Sequence, residues 1–235
     1  MTTKRESGVY ELKFRVRGQD FAAVSAWMRA QLRADPHGTG EHGDLYLVQS
    51  LYLDTPSWDV FHRRGSYARA KFRIRRYNDA GVVFLERKMK REGIVRKRRV
   101  AVAMEEMEHL KAEANGAVWA GAWFHHRLAV RRLQPAVAMS YERLARFGEE
   151  AEERFRMTLD RDLRAVPPGG IAVPRLVSSG DLFAGDGLVE VKFATALPVS
   201  VRGLVEKGWL VPASFSKYRT GVSSCGLVPL PPAGS

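Results

Sequence analysis

Apolar and polar residues alternate with a period of two along much of this chain. From Val9 to Arg17, Tyr10, Leu12, Phe14 and Val16 fall on one face, and Glu11, Lys13, Arg15 and Arg17 on the other. Side chains two apart in an extended chain share a face, so the pattern predicts a strand with one apolar and one charged side. The same reading predicts strands over Leu45 to Asp54, Arg69 to Tyr77, the stretch ending at Lys88, Ile94 to Ala103, AVAMSYERLARF after Pro135, Glu152 to Asp160 and Leu188 to Phe193. About eight strands result, and many of them carry a charged face.

Helical periodicity is rarer. Asp20 is placed to cap a helix that turns Phe21, Val24, Trp27, Met28 and Leu32 towards a core. Further helices are predicted over Ser57 to Arg64, over Met104 to Leu133 with a break near Asn115-Gly116, and over Pro198 to Gly208. Asn78-Asp79-Ala80-Gly81 reads as a turn, Gly148-Glu149-Glu150 as a tight connection, and ADPHGTGEHGD as a loop. His37 and His42 in that loop lack a matching carboxylate cluster and do not form a metal-site pattern. The expectation is one domain over residues 1–235, with a core from about 9 to 218 and a flexible tail over 222–235.

Charge changes the picture. With 38 Lys and Arg against 26 Asp and Glu, the formal net charge is +12, which favours anionic partners. The hairpin from Arg69 to Lys88 concentrates it. Arg69, Lys71, Arg73 and Arg75 share one face, with Glu86 and Lys88 on a face of the next strand. Directly opposed like charges cost roughly 0.2–1 kcal/mol per pair, so such a ladder is either a solvated outer face or one side of an anion site. The single Cys225 excludes an intramolecular disulfide framework and a Cys-rich metal centre. No signal-peptide pattern opens the chain, and no apolar run approaches the ~18 residues of a membrane span, so the default expectation is a cytoplasmic protein.

Two architectures accommodate these strands. In an open sheet the charged faces meet water; in a closed barrel they line a lumen while helices cover the apolar outside. The barrel would turn inward Lys13, Lys71, Arg73, Arg75, Lys88, Arg143, Arg154, Arg156 and Lys192, together with Glu11, Glu86, Asp160 and Glu190. Desolvated like charges repel strongly, and a chain of phosphates with Mg²⁺ or Mn²⁺ would relieve both signs. The P-loop, the dinucleotide-binding turn and the kinase signature are all missing. Aromatics mostly alternate onto the faces opposite the charges, which argues against a base-stacking platform and hence against a specific nucleic-acid partner.

The fragments YELKF, SLYLDTP, KFRIRRY, FLERK with the KRR run behind it, YERLARF, RMTLD, LVEVKF and SKY occur in that order between Val9 and Tyr218. In these the sequence resembles the VTC domain, the polyphosphate polymerase domain of the vacuolar transporter chaperone family, within the triphosphate tunnel or CYTH-like superfamily. The resemblance implies an α+β fold: an antiparallel β-barrel tunnel with helices packed outside. It implies that ATP or another triphosphate binds there with a divalent metal, Mn²⁺ or Mg²⁺, and that the γ-phosphate passes to inorganic polyphosphate. Carried over by motif, Arg73, Arg75, Lys88, Arg143 and Arg156 would be catalytic, and Lys13, Lys192 and Lys217 would bind phosphate. From the KRR run, Lys97 or Arg98 would join them. Glu190 matches the metal-binding position, with Glu11 and Glu86 as further acidic candidates. No SPX-like segment or membrane-spanning helix is seen in these residues, so translocation of product through a membrane is not expected. A tripolyphosphatase and a non-catalytic binding module on the same tunnel are the rival expectations.

Overall fold

The computed structural model describes residues 9–35, 44–91, 94–113, 118–174 and 179–228. Ten strands form one antiparallel sheet: β1 (Tyr10–Val16), β2 (Arg33–Ala34), β3 (Leu45–Asp54), β4 (Ala70–Tyr77), β5 (Val82–Arg91), β6 (Ile94–Ala103), β7 (Gln134–Glu150), β8 (Glu153–Val166), β9 (Gly187–Phe193) and β10 (Val211–Pro212). Their spatial order is β10-β1-β9-β8-β7-β3-β4-β5-β6, with β2 attached to β7. Among the described residues five α-helices flank the sheet: α1 (Phe21–Gln31), α2 (Asp59–His62), α3 (Ala122–Val130), α4 (Val199–Glu206) and α5 (Lys217–Ser224).

The α+β expectation holds, with two changes. The short β2 and β10 raise the strand count from about eight to ten. The sheet is also not closed by hydrogen bonds, since β6 ends the order and no backbone ladder joins it to β1 or β10 among the described residues. Curvature still brings the two ends of the wall together. Lys88 Nζ on β5 lies 2.9 Å from Glu11 Oε2 on β1, so side chains close the tunnel along a seam.

Much of the apolar packing lies outside that tunnel, as the alternation requires, but on the inward face Val48, Tyr52, Val137, Met139 and Tyr141 pack with Tyr218 and Val222 of α5 and fill one end. Val24 and Met28 of α1, with Val201 and Leu204 of α4, pack on Phe14, Met157, Leu159, Val189 and Val191. Phe124 and Leu128 of α3 cover Phe72, Ile74 and Leu85 from the hairpin. Burying each such side chain contributes about 1.5–3 kcal/mol, so the register that turns the charges inward is held from outside.

Several local expectations change. Asp20 accepts no helix N–H; its carboxylate takes Arg17 Nε at 2.8 Å instead. The region from Met104 to Leu133 is a 3₁₀ segment over Glu105–Lys111 followed by α3, and the expected break at Asn115-Gly116 lies outside the described residues. Gly148 does not turn the chain. It continues β7, where an added Cβ would stand 2.1 Å from the Phe155 ring, so glycine is there for close packing. Ala151 and Glu152, at φ 48° and 63°, make the turn. Two successive left-handed residues give the twist that suits a two-residue hairpin. Within the stretch expected as a tail, α5 reaches Ser224 and Val222 is fully buried; residues 229–235 lie outside the described set. His37 and His42 lie outside it too.

Candidate functional site: a charged tunnel

Strand register alone sets the charges side by side around the wall. Glu11 stands opposite Lys192 and Lys13 opposite Glu190 across β1 and β9. Arg156 faces Lys192 and Thr158 faces Glu190 across β8 and β9, and Arg143 faces Asp160 across β7 and β8. On the other side, Tyr52 and Ser50 face Arg73 and Arg75, while Arg73 faces Glu86, which in turn faces Arg99. Lys71, Lys88 and Lys97 form one uninterrupted row of lysines across β4, β5 and β6.

The half of the tunnel next to α5 is a mixed-charge network. Lys217 Nζ enters from the first turn of α5 and lies 2.7 Å from Asp160 and 3.0 Å from Glu190. Arg143 grips both oxygens of Asp160 at 2.6 and 2.8 Å, a two-pronged pairing. Lys13 sits between Glu11 and Glu190, 3.7 Å from each. Burial would raise the Glu190 pKa, but Lys217, Arg143, Lys13 and Lys192 outweigh it and hold the carboxyl well below its usual range. Asp160 is lowered in the same way by Arg143 and Lys217 against its burial. Glu11 is lowered by Lys88 and Lys192, again against burial.

The opposite half is dominated by cations. Glu86 takes Arg73 Nε and Lys97 Nζ at 2.5 Å each and Arg99 Nε at 3.3 Å. Those cations, with Arg75, overcome desolvation and keep Glu86 ionised. Arg75 is held by hydroxyls: Nε donates to Ser50 Oγ and Nη2 to Tyr141 Oη, both at 3.0 Å. Its guanidinium also lies beside the rings of Tyr77 and Tyr141. Lys71 reaches Ser216 Oγ at 3.1 Å, and burial followed by the fields of Lys13 and Lys88 lowers its pKa to about 8. Lys192 is likewise lowered to about 8, chiefly by burial. The Tyr52 hydroxyl falls to about 8, because Arg73, Arg75 and Lys217 outweigh a burial that would raise it.

Of the residues expected from sequence, Lys13, Arg73, Arg75, Lys88, Lys97, Arg143, Arg156, Lys192, Lys217, Glu11, Glu86 and Glu190 all lie on this wall or on α5 pointing into it. Arg98 does not, and this corrects the alternative left open in the KRR run. Its guanidinium lies 4.2 Å from the Trp123 ring of α3, on the outer face, so Lys97 and Arg99 are the inward pair. Glu86 is the counter-ion of three cations, while Glu11 and Glu190 share Lys13. Arg154, counted inward on alternation, is exposed beside Glu149 beyond the tunnel.

Sequence reasoning missed four contributors. Arg99 needed only strict alternation along β6. Tyr52 and Tyr141 share the charged face while packing in the apolar cluster under α5, contrary to the expected segregation of aromatics. Asp35, in the segment read only as a loop, is buried and takes Arg156 Nη2 at 2.7 Å.

Among the described residues, no group of three or more His, Cys, Asp or Glu is arranged to hold a metal by itself. A smaller oxygen donor set is present. Glu190 is ionised, and beside it on β8 the Thr158 hydroxyl is buried with no hydrogen-bond partner. Two such donors fit an Mg²⁺-like ion that takes its other ligands from phosphate and water.

Residues 9–225 match the VTC domain. The chain belongs to that family. As a VTC domain it has relatives of known structure that share the fold at low identity. An adenylate cyclase-like protein from Bacillus halodurans superposes with a TM-score of 0.50 at 12% identity, over 88% of this chain and 96% of the other. An adenylyl cyclase-like protein from Hippeastrum, for which a dominant triphosphatase activity is described, gives 0.49 at 14% identity over 94% and 98%. The likeness to the Bacillus halodurans protein shows a shared fold. No match is found among curated proteins. No helix among the described residues is long and apolar enough to cross a membrane.

Proposed function

We propose that this VTC domain transfers the γ-phosphoryl group of ATP to the end of an inorganic polyphosphate chain held in the tunnel. The observation that carries the reading is the convergence of inward cations from β1, β4, β5, β6, β7, β8, β9 and α5 on one space. Several of them are held by hydroxyls and not by acids. Arg75, bound to Ser50 and Tyr141, and Lys71, bound to Ser216, are oriented in the free protein without a carboxylate in direct contact. Phosphate oxygens would complete them.

Phosphoryl transfer needs little covalent help from protein, so positioning and charge neutralisation carry the rate. Arg73 and Arg75 would clamp the transferring group, with Glu86 fixing Arg73 on its far side. Lys71, Lys88 and Lys97 extend the cationic row along the chain of phosphates. Arg143 and Arg156 are held by Asp160 and Asp35, so their remaining N–H groups are aimed without free rotation. Glu190, Thr158 and Glu11 would hold Mg²⁺ or Mn²⁺, which when bound neutralises charge on phosphate oxygens.

No carboxylate or histidine among the described tunnel residues is tuned as a base, which supports a phosphate acceptor; the tunnel groups brought to about 8 are Lys71, Lys192 and Tyr52. Glu11, Glu86, Asp160 and Glu190 are all lowered, far from the near-neutral pKa of an effective proton acceptor. The described histidines stand on α2, α3 and the 3₁₀ segment before α3, not on tunnel strands. A terminal phosphate is already an anion and needs no base, whereas water does. Phosphorus NMR of a reaction with ATP and Mn²⁺ tests this. Internal-phosphate resonances with stoichiometric ADP support polymerisation; orthophosphate alone would assign the tunnel to hydrolysis, and ligand binding without turnover would make it a binding module.

A further inference from the structure

Four arginines gather on the outside of the hairpin, away from the tunnel. Arg87 on β5 stands directly opposite Arg98 on β6, a like-charge pair that a sheet does not favour. Arg127 follows Trp123 by one turn on α3, and Arg131 follows by another. The Arg98 guanidinium lies 4.2 Å from the Trp123 ring, and that of Arg131 lies 4.8 Å from the Tyr67 ring with Nη1 3.2 Å from Ser66 Oγ.

None of the four has an acidic partner within 4 Å among the described residues. Elsewhere on the outside, Arg15, Arg29, Arg161 and Arg164 each stand beside an aspartate or glutamate. Arg87 is influenced only by burial and by Arg127, Arg98 and Arg131, with no carboxylate acting on it. Among the described residues, four guanidiniums gather here on one face with no acid interspersed between them. Stacking on Trp123 and Tyr67 fixes the flat faces of two guanidiniums and leaves their N–H edges to solvent, the arrangement that binds phosphate two oxygens at a time.

We propose that Arg87, Arg98, Arg127 and Arg131 form a second anion site, outside the tunnel, for a linear chain of phosphoryl groups. Guanidiniums spread over two strands and two turns of helix suit an extended polyanion better than a single phosphate. Short ions bind such a track weakly, and affinity grows with chain length as more contacts form. The source can be product leaving the tunnel or a chain made elsewhere; the surface chemistry is the same. The site stands independently of the reaction assigned to the tunnel.

The test uses the whole protein in EDTA, with tripolyphosphate in excess to fill the tunnel, and follows binding of labelled long-chain polyphosphate. Wild type should retain the long chain. The variant Arg87→Gln/Arg127→Gln/Arg131→Gln should bind it at least about tenfold more weakly, with a salt dependence shallower by about two log units per log unit of salt. Its melting temperature should not fall, because the substitutions relieve repulsion. Full displacement of the long chain by tripolyphosphate, or equal retention by the variant, overturns the outer site. Either result leaves the tunnel reading intact, since tripolyphosphate binding reports on that separately. Single-stranded RNA binding this face more tightly than polyphosphate would overturn the assigned ligand.

Discussion

Lys88 of β5 meets Glu11 of β1 at 2.9 Å, although the two strands share no backbone ladder among the described residues. Glu11 also lies 3.7 Å from Lys13 and from Lys192, so one carboxylate on the seam compensates three lysines. Removing its charge should therefore favour an anionic guest. Glu11→Gln is expected to tighten metal-free tripolyphosphate binding a few-fold, and to shrink the extra affinity gained on adding Mg²⁺ or Mn²⁺. Calorimetric titration with and without metal checks both. Because the pair is partly exposed, the accompanying change in fold stability should stay within about 1 kcal/mol.

Lys217 is held in the tunnel by its neighbour. The Tyr218 hydroxyl donates to Asp54, a buried carboxylate that also accepts from the backbone N–H groups of Thr55, Val60 and Phe61. Tyr218→Phe removes one charge-assisted bond and should cost about 1.5–3 kcal/mol. The expected result is a lower melting temperature that tripolyphosphate partly restores, with kcat falling more than KM rises. Thermal melts with and without ligand, alongside steady-state kinetics, measure this.

Two tunnel lysines titrate near the physiological range. Lys71 and Lys192 fall from 10.5 to about 8 on folding, mainly through burial. Between about 8 and 10.5 the unfolded chain holds protons that the folded one has lost, so these groups make the free protein more stable as pH rises through that window. Anion affinity runs the other way: it is full below about 8 and lost above it, more so as Tyr52 ionises. Tripolyphosphate affinity should drop about tenfold between pH 7 and 9.5, and Lys71→Arg should flatten that profile, because arginine stays charged.

The inward register of β6 separates neighbouring arginines. Arg99→Ala removes a cation that touches Glu86 and lies against Phe84, and should weaken tripolyphosphate binding about tenfold or more. Arg98→Ala, on the Trp123 side, should leave that affinity within about twofold. Isothermal titration of the two variants decides the register.

Much of this wall was readable from alternation, because the period of a strand is fixed and each inward charge is separated from the next by one apolar residue. Lys13, Arg73, Arg75, Arg143, Arg156 and Glu190 followed directly. The rule failed where both neighbours are cations. In the run from Arg96 to Arg99 only tertiary partners, Glu86 inside and Trp123 outside, choose the face. Gly148 read as a turn because its reason, the Phe155 ring on the next strand, is not local. Asp35 lies 121 residues from Arg156, and no local pattern joins them. The seam is a property of sheet curvature, which sequence periodicity does not encode.

Polymerisation means that this tunnel joins phosphates to one another. Incubation with ATP labelled at the γ-phosphate and Mn²⁺, followed by electrophoresis of the products, reads it directly. A polymerase gives a ladder of labelled polyphosphate that lengthens with time, matched by ADP, and reduced by about 10²–10³-fold in Arg75→Ala. Labelled orthophosphate with no polymer, or a ladder unchanged in Arg75→Ala, would contradict it.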